Sequence, residues 1–144
     1  MRHGAGRLIV ADTGAVVALI DADDRHHGQL RELFEADLSA WLLPWAILPE
    51  VDYLVLSHLG ARVEAAFLDD LAEGRYAVEW GQPEDLERAN ELSHRYASLG
   101  LGLTDAVVMA VAERLGAGQI ATLNERDFGA VELVGSPQLI PRDL

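Results

Sequence analysis

The chain has 144 residues, a formal net charge of −13 and no cysteine. That length suits one domain with a real core, and the absence of cysteine excludes disulfides and thiolate metal sites. The acidic balance excludes general adhesion to nucleic acid through a broad basic face, but leaves open a nucleic-acid substrate met through a metal ion that brings positive charge locally.

Every basic side chain is Arg, so a phosphate-cradling loop that ends in Gly-Lys-Ser or Gly-Lys-Thr is excluded. Hydrophobic residues make up 50% of the chain, as expected of a folded protein and not of a disordered one. No apolar run is long enough to cross a membrane, and residues 1–7 read as a loose tail rather than a signal peptide. A cytoplasmic protein is expected.

The first apolar run, Leu8-Ile9-Val10-Ala11, ends at Asp12-Thr13-Gly14 and passes into Ala15-Val16-Val17-Ala18-Leu19-Ile20. This pattern predicts a buried strand that hands over to a helix at Asp12. Ligands of open parallel sheets bind at the carboxyl ends of strands, which makes Asp12 a site candidate. After the polar Asp21-Ala22-Asp23-Asp24, a second helix is expected to open at Arg25-His26-His27. It carries Leu30, Leu33 and Phe34 at helical spacing. Adjacent helical residues diverge, so the two histidines do not readily share an ion. They read as a solvated helix start, with substrate contact as the competing reading.

Ala40-Trp41-Leu42-Leu43 predicts a second strand closed by Pro44, followed by a helix over 45–56 with Pro49 in its first turn. Glu50 then stands near the helix start, either as an acid favoured by the helix dipole or as part of a site. A further helix is expected over 62–71 and a third strand over 76–80. Pro83-Glu84-Asp85 signals another helix start. That helix should turn Leu86, Ala89, Leu92 and Tyr96 inward and Glu87, Arg88, Glu91 and Arg95 outward.

Gly100-Leu101-Gly102-Leu103-Thr104-Asp105 precedes a nearly all-apolar helix, with Thr104 as its expected N-cap. Asp105 either complements the dipole or joins a site, because a carboxylate in a buried first turn needs a partner. Gln119 to Leu123 predicts a fourth strand that ends in the polar turn Asn124-Glu125-Arg126-Asp127, with Phe128 plugging the core. Val131 to Val134 is expected to add a short edge strand. Strand–helix alternation thus places four acids at equivalent points: Asp12 and Asp127 close strands, and Glu50 and Asp105 open helices.

These segments together resemble the PIN-domain family, and within it the VapC-type toxins of toxin–antitoxin pairs. The resemblance rests on Ile9 to Ala15, Pro49 to Leu54, Leu103 to Val108 and Ala121 to Phe128, in that order over about Leu8 to Pro141. Many members carry an acid where this chain has Asn124, which leaves Asp127 as the fourth carboxylate of that turn. The resemblance implies a three-layer α/β/α domain over residues 8–144 with a central, mostly parallel twisted sheet of four to five strands.

It also implies an endoribonuclease dependent on Mg²⁺ (Mn²⁺ as substitute), with Asp12 and Asp105 as metal ligands. Glu50 and Asp127 complete the catalytic set, and Thr13, Thr104 and Asn124 support it. Arg25, Arg95 and Arg126 are the candidate RNA contacts. The implied partners are RNA, a cognate antitoxin, and a second copy of the chain in a homodimer. First- and second-helix residues such as Leu30, Leu33 and Phe34 are candidates to line the antitoxin's groove, and taken one by one each reads first as a core residue. Two readings compete: a catalytically inert scaffold for a protein partner, and a metal-dependent hydrolase of small phosphates.

Overall fold

Very short strands alternate with helices in the computed structural model of the chain, which describes residues 6–144. The order is β1 (Ile9–Ala11), α1 (Thr13–Ile20), α2 (His27–Ala36), β2 (Trp41–Pro44), α3 (Leu48–Leu59) and α4 (Ala61–Ala72). Then come β3 (Ala77–Glu79), α5 (Pro83–Arg95), α6 (Leu103–Leu115), β4 (Gln119–Ala121), α7 (Glu125–Ala130) and β5 (Gln138–Ile140). The five strands form one all-parallel sheet in the order β3-β2-β1-β4-β5. Helices cover it in a three-layer α/β/α arrangement. Among the described residues no helix is long and apolar enough to cross a membrane.

A parallel sheet covered on both faces needs strands that are apolar throughout, and Ile9, Val10 and Ala11 are all buried. β1 is central, with Val10 opposite Leu42 on one side and Ile120 on the other. The strand order reverses between β1 and β4. That reversal opens a crevice at their carboxyl ends, where such sheets bind ligands. Asp12 follows β1 directly, and the turn from Thr122 to Asp127 follows β4.

Helix α6 buries Ala106 and every residue from Val108 to Ala112, which explains its lack of a polar face. Gly116 ends it in the left-handed conformation (φ 62°), which costs glycine least. Just beyond, Gly118 lies against the Gly6 backbone carbonyl so closely that a Cβ has no room. Within the core the rings of Phe34 and Trp41 meet edge to face at 5.5 Å and join α2 to β2.

Several expectations need correcting. The segment Val131 to Val134 forms no strand; the edge strand is β5, a few residues later. The N-cap of α6 is Gly102, so Thr104 lies inside the first turn. Leu86 does not turn inward but is exposed. Arg88 is more than surface support: its guanidinium donates to both carboxylate oxygens of Glu113, at 2.6 and 3.1 Å, and ties α5 to α6. A second tie joins Arg114 to Asp85 (2.7 Å) and Glu79 (2.7 Å). Leu30 and Phe34 are buried core residues and Leu33 packs against that core, in line with the core reading and not with the groove reading. The His27 ring nitrogen Nδ1 bonds the Ala18 carbonyl oxygen at 2.8 Å, a structural role in joining α2 to α1. Of the predicted tail, residues 1–5 lie outside the described residues, while the Arg7 guanidinium donates to Ser39 Oγ at 3.0 Å.

Candidate functional site

Asp12 leaves the sheet as its backbone N–H donates to the Ala121 carbonyl at 2.8 Å, an extension of the β1–β4 ladder. Its side chain is therefore delivered to the crevice by the sheet itself. The carboxylate is 4% exposed. Its Oδ2 accepts a hydrogen bond from the Thr122 hydroxyl at 2.9 Å. Thr122 Oγ1 in turn accepts the Asn124 backbone N–H at 3.0 Å, so the turn after β4 fixes the orientation of the acid after β1.

Asn124 is the second organiser. As N-cap of α7, its Oδ1 accepts the Asp127 backbone N–H at 3.3 Å. Its amide nitrogen then donates to Asp105 Oδ2 at 3.0 Å and to Asp127 Oδ2 at 3.1 Å. One amide thus holds carboxylates from α6 and α7 side by side. An aspartate at this position would lack the donors for both bonds.

The electrostatics show the acids converging. Burial is the largest cause that raises the Asp12 carboxyl from 3.8 to about 7, with repulsion from Asp105 and Glu50 adding to it. The Thr122 hydrogen bond pulls in the opposite direction. Asp105 is also raised, first by burial and then by Glu50 and Asp127. Hydrogen bonds from Asn124 and Asp12 offset part of that rise. Four carboxylates from four elements therefore share one crevice, with Glu50 exposed at its mouth.

Two carboxylate oxygens, Asp12 Oδ1 and Asp127 Oδ1, are sealed from solvent with no hydrogen-bond partner, as is the neighbouring Thr13 Oγ1. Arg126 Nε stands 3.5 Å from Asp127 Oδ1, an ion-pair distance. A buried, unbonded carboxylate oxygen is costly unless a cation satisfies it. An all-oxygen donor set suits a hard divalent cation. Among the described residues, no three acids or histidines stand close enough to enclose an ion by themselves. Two carboxylates can hold a small divalent cation and leave room for waters and substrate oxygens, and the donor chemistry of Asp12 and Asp105 is compatible with that.

Not every candidate joins this cluster. Thr104 lines an adjacent apolar groove. Arg25 is exposed and its Nε donates to His26 Nε2. Arg95 lies over the Tyr96 ring and lines a separate groove of about 620 Å³ with Arg88 and Arg142. Of the three arginines, Arg126 is the one paired with a site acid. The sequence reading missed Thr122. Its only sequence signal is its place at the end of β4, beside the strand end that carries Asp12.

The PIN domain family matches residues 9–132 of the chain. Ribonuclease VapC26 of Mycobacterium tuberculosis (strain ATCC 25618 / H37Rv) is 28% identical over 127 residues, covering 88% of this chain and 94% of that protein. The crystal structure of Mycobacterium tuberculosis VapC20, a sarcin-ricin loop cleaving toxin, matches with a TM-score of 0.74 at 24% identity, over 90% of this chain and 98% of VapC20. The DNA-bound VapBC structure from Salmonella typhimurium matches with a TM-score of 0.70 at 19% identity, over 92% of this chain and 96% of that one. The family match runs from β1 past α7 and so takes in all four acids. On that match, and on the fold these solved structures share, the chain belongs to the PIN-domain family.

Proposed function

We propose that the chain is an endoribonuclease of the VapC kind, the toxin of a toxin–antitoxin pair, which blocks translation in the cytoplasm by cutting RNA. The observation that carries this reading is the shared crevice of Asp12, Glu50, Asp105 and Asp127, with two sealed carboxylate oxygens unbonded. The relatedness to a ribonuclease, VapC26, supports it.

The chemistry that Mg²⁺, or Mn²⁺ in its place, would supply here is neutralisation of charge at the scissile phosphate and acidification of a water. Asp12 and Asp105 are the residues that would hold the cation. Thr122 keeps the Asp12 carboxylate fixed, and Asn124 does the same for Asp105 and Asp127. Glu50, at the open mouth, orients the attacking water. Asp127 would add negative charge to the set that holds the cation, and Thr13 would support that set. Arg126, beside Asp127, meets an RNA phosphate at the rim. Burial first, and then the charges of Asp105 and Glu50, disfavour ionisation of Asp12, which is why its carboxyl keeps its proton up to about pH 7.

The antitoxin occupies a groove of about 360 Å³ between α1, α2 and α4, whose walls include Leu19, Ile20, Arg31 and Val63. The acidic surface favours a basic partner.

The test is a titration of Mn²⁺ into partner-free protein with structured and unstructured RNA, beside Asp12→Asn. Metal-dependent cuts that vanish in the variant support the nuclease. Turnover of small phosphate esters alone favours a phosphohydrolase, and failure to bind metal favours a scaffold.

A further inference from the structure

Outside the acid crevice, one groove gathers three arginines. It has a volume of about 620 Å³ and is walled by α5, the end of α7 and the segment that leads into β5, with Arg88, Arg95 and Arg142 among its lining residues. The chain has 11 basic residues against 24 acidic ones, so three in one groove stand out. Glu132 is the one acid among the lining residues.

The three guanidiniums are not equally available. Arg88 gives all its nitrogens to Glu113 and Glu91 and serves as wall. Arg142 gives Nε and Nη2 to Asp143. Its Nη1 lies beside Gly129, where a Cβ would stand only 2.8 Å away. Glycine at that position lets the guanidinium approach the backbone of α7. Arg95 is exposed and has no carboxylate partner among the described residues. It rests on the Tyr96 ring, 5.6 Å from the centroid. An aromatic face holds a guanidinium and leaves its N–H groups for a ligand. Tyr96 is held in turn, because its hydroxyl accepts the Glu132 backbone N–H at 3.1 Å.

Position selects the ligand. α7 carries Asp127, which Asn124 holds beside Asp105 in the crevice. The next two residues, Phe128 and Gly129, line the groove. Crevice and groove therefore share one helix as a wall. A polyanion that enters the crevice is repelled by a body of charge −13, except where a free guanidinium meets it. Arginine takes a phosphate through two N–H groups at once, and its plane also stacks on an unpaired base. An acidic peptide meets the same guanidiniums, but the shared wall favours the ligand that the crevice itself takes.

We propose that this groove is a second RNA site, in which Arg95 and the Arg142 Nη1 hold a backbone phosphate of single-stranded RNA beside the point of cleavage and not at it. The proposal rests on the nuclease reading and adds a substrate contact to it.

Fluorescence anisotropy in EDTA reads binding of labelled single-stranded RNA to the full, antitoxin-free chain without cleavage. Arg95→Gln and Arg142→Gln should each weaken binding of an RNA of about 12 nucleotides roughly 10-fold. Each should also make the salt dependence shallower by about 0.7. Arg62→Gln, which removes an exposed arginine on α4, should change neither. Arg95 touches only the Tyr96 ring, so its variant should keep the circular dichroism spectrum. With Mn²⁺ present, Arg95→Gln should raise KM for the longer RNA about 10-fold and change kcat far less. That effect should shrink for an RNA of about 4 nucleotides, too short to reach from crevice to groove. No binding in EDTA overturns the proposal, and so does an Arg62→Gln loss as large as that of Arg95→Gln. Competition by polyglutamate as strong as by RNA also overturns it, since the groove would then take an acidic protein segment. RNA cut with an unchanged KM by both groove variants overturns this site and spares the nuclease reading. RNA bound through Arg95 but never cut overturns the nuclease reading and spares the site.

Discussion

Thr122 and Asp12 are 110 residues apart in the chain, and the hydroxyl of one donates to the carboxylate of the other at 2.9 Å inside a buried crevice. The bond leaves the other oxygen of Asp12 without a partner and lowers the cost of ionising the group. Thr122→Val keeps the shape and removes the donor. We expect Mn²⁺ affinity, measured by calorimetry, and the cleavage rate each to fall about 10- to 100-fold. Thr122→Ser should restore most of both.

Asp12→Asn should abolish cleavage while leaving the circular dichroism spectrum unchanged. It should also stabilise the metal-free protein at neutral pH. In the fold the Asp12 carboxyl holds its proton up to about pH 7, whereas unfolded it releases it near 3.8. Between these values the unfolded chain binds fewer protons, so stability is fully present below about pH 4 and falls as pH rises toward 7. The loss is on the order of 4 kcal/mol. Urea melts of the metal-free wild type should show that decline, and Asp12→Asn should largely remove it.

The same carboxyl makes metal binding release a proton. Affinity for Mn²⁺ should therefore climb with pH up to about 7 and level off above it. Calorimetry in buffers of differing ionisation enthalpy reads the released proton directly.

Asn124→Ala removes the donor that Asp105 and Asp127 share. Cleavage should fall about 10- to 100-fold. Asn124→Asp puts a fifth acid in the crevice and removes the amide donor to Asp105 and Asp127. It should shift the pH dependence of metal binding upward, because a further like charge disfavours ionisation.

Outside the acid cluster, Arg114→Met leaves the buried Asp85 without its guanidinium. Removing one partner of a buried pair costs roughly 3–5 kcal/mol. Urea unfolding should show a loss of that size, while specific activity of the folded fraction at low temperature stays unchanged.

The sequence exposes the acids because each breaks a local pattern. Asp12 ends an apolar strand, Asp105 opens an apolar helix, and Pro49 marks the turn that carries Glu50. These are signals within a few residues, and the structure places all four acids in one crevice. What escaped is through-space. Nothing near Thr122 announces that its hydroxyl faces Asp12, and nothing near Arg114 announces Asp85. Helical spacing put Leu86 among the inward residues, but spacing cannot say whether another element covers that face. β5 is only three residues long, too short for alternation to register, so the apolar run at 131–134 attracted the strand instead. The N-cap of α6 was misplaced because Thr104 has the preferred side chain, while the backbone takes its extended cap conformation at Gly102.

The central place of β1 sets the order in which a growing polypeptide gains competence. β1 is flanked by β2 and β4, and β4 leaves the ribosome more than a hundred residues after it. A nascent chain that reaches only Leu115 already contains Asp12, Glu50 and Asp105. It still lacks the strand that closes β1's second edge and the Thr122 and Asn124 side chains that aim the acids. The acid cluster is therefore completed only once β4 and α7 have emerged.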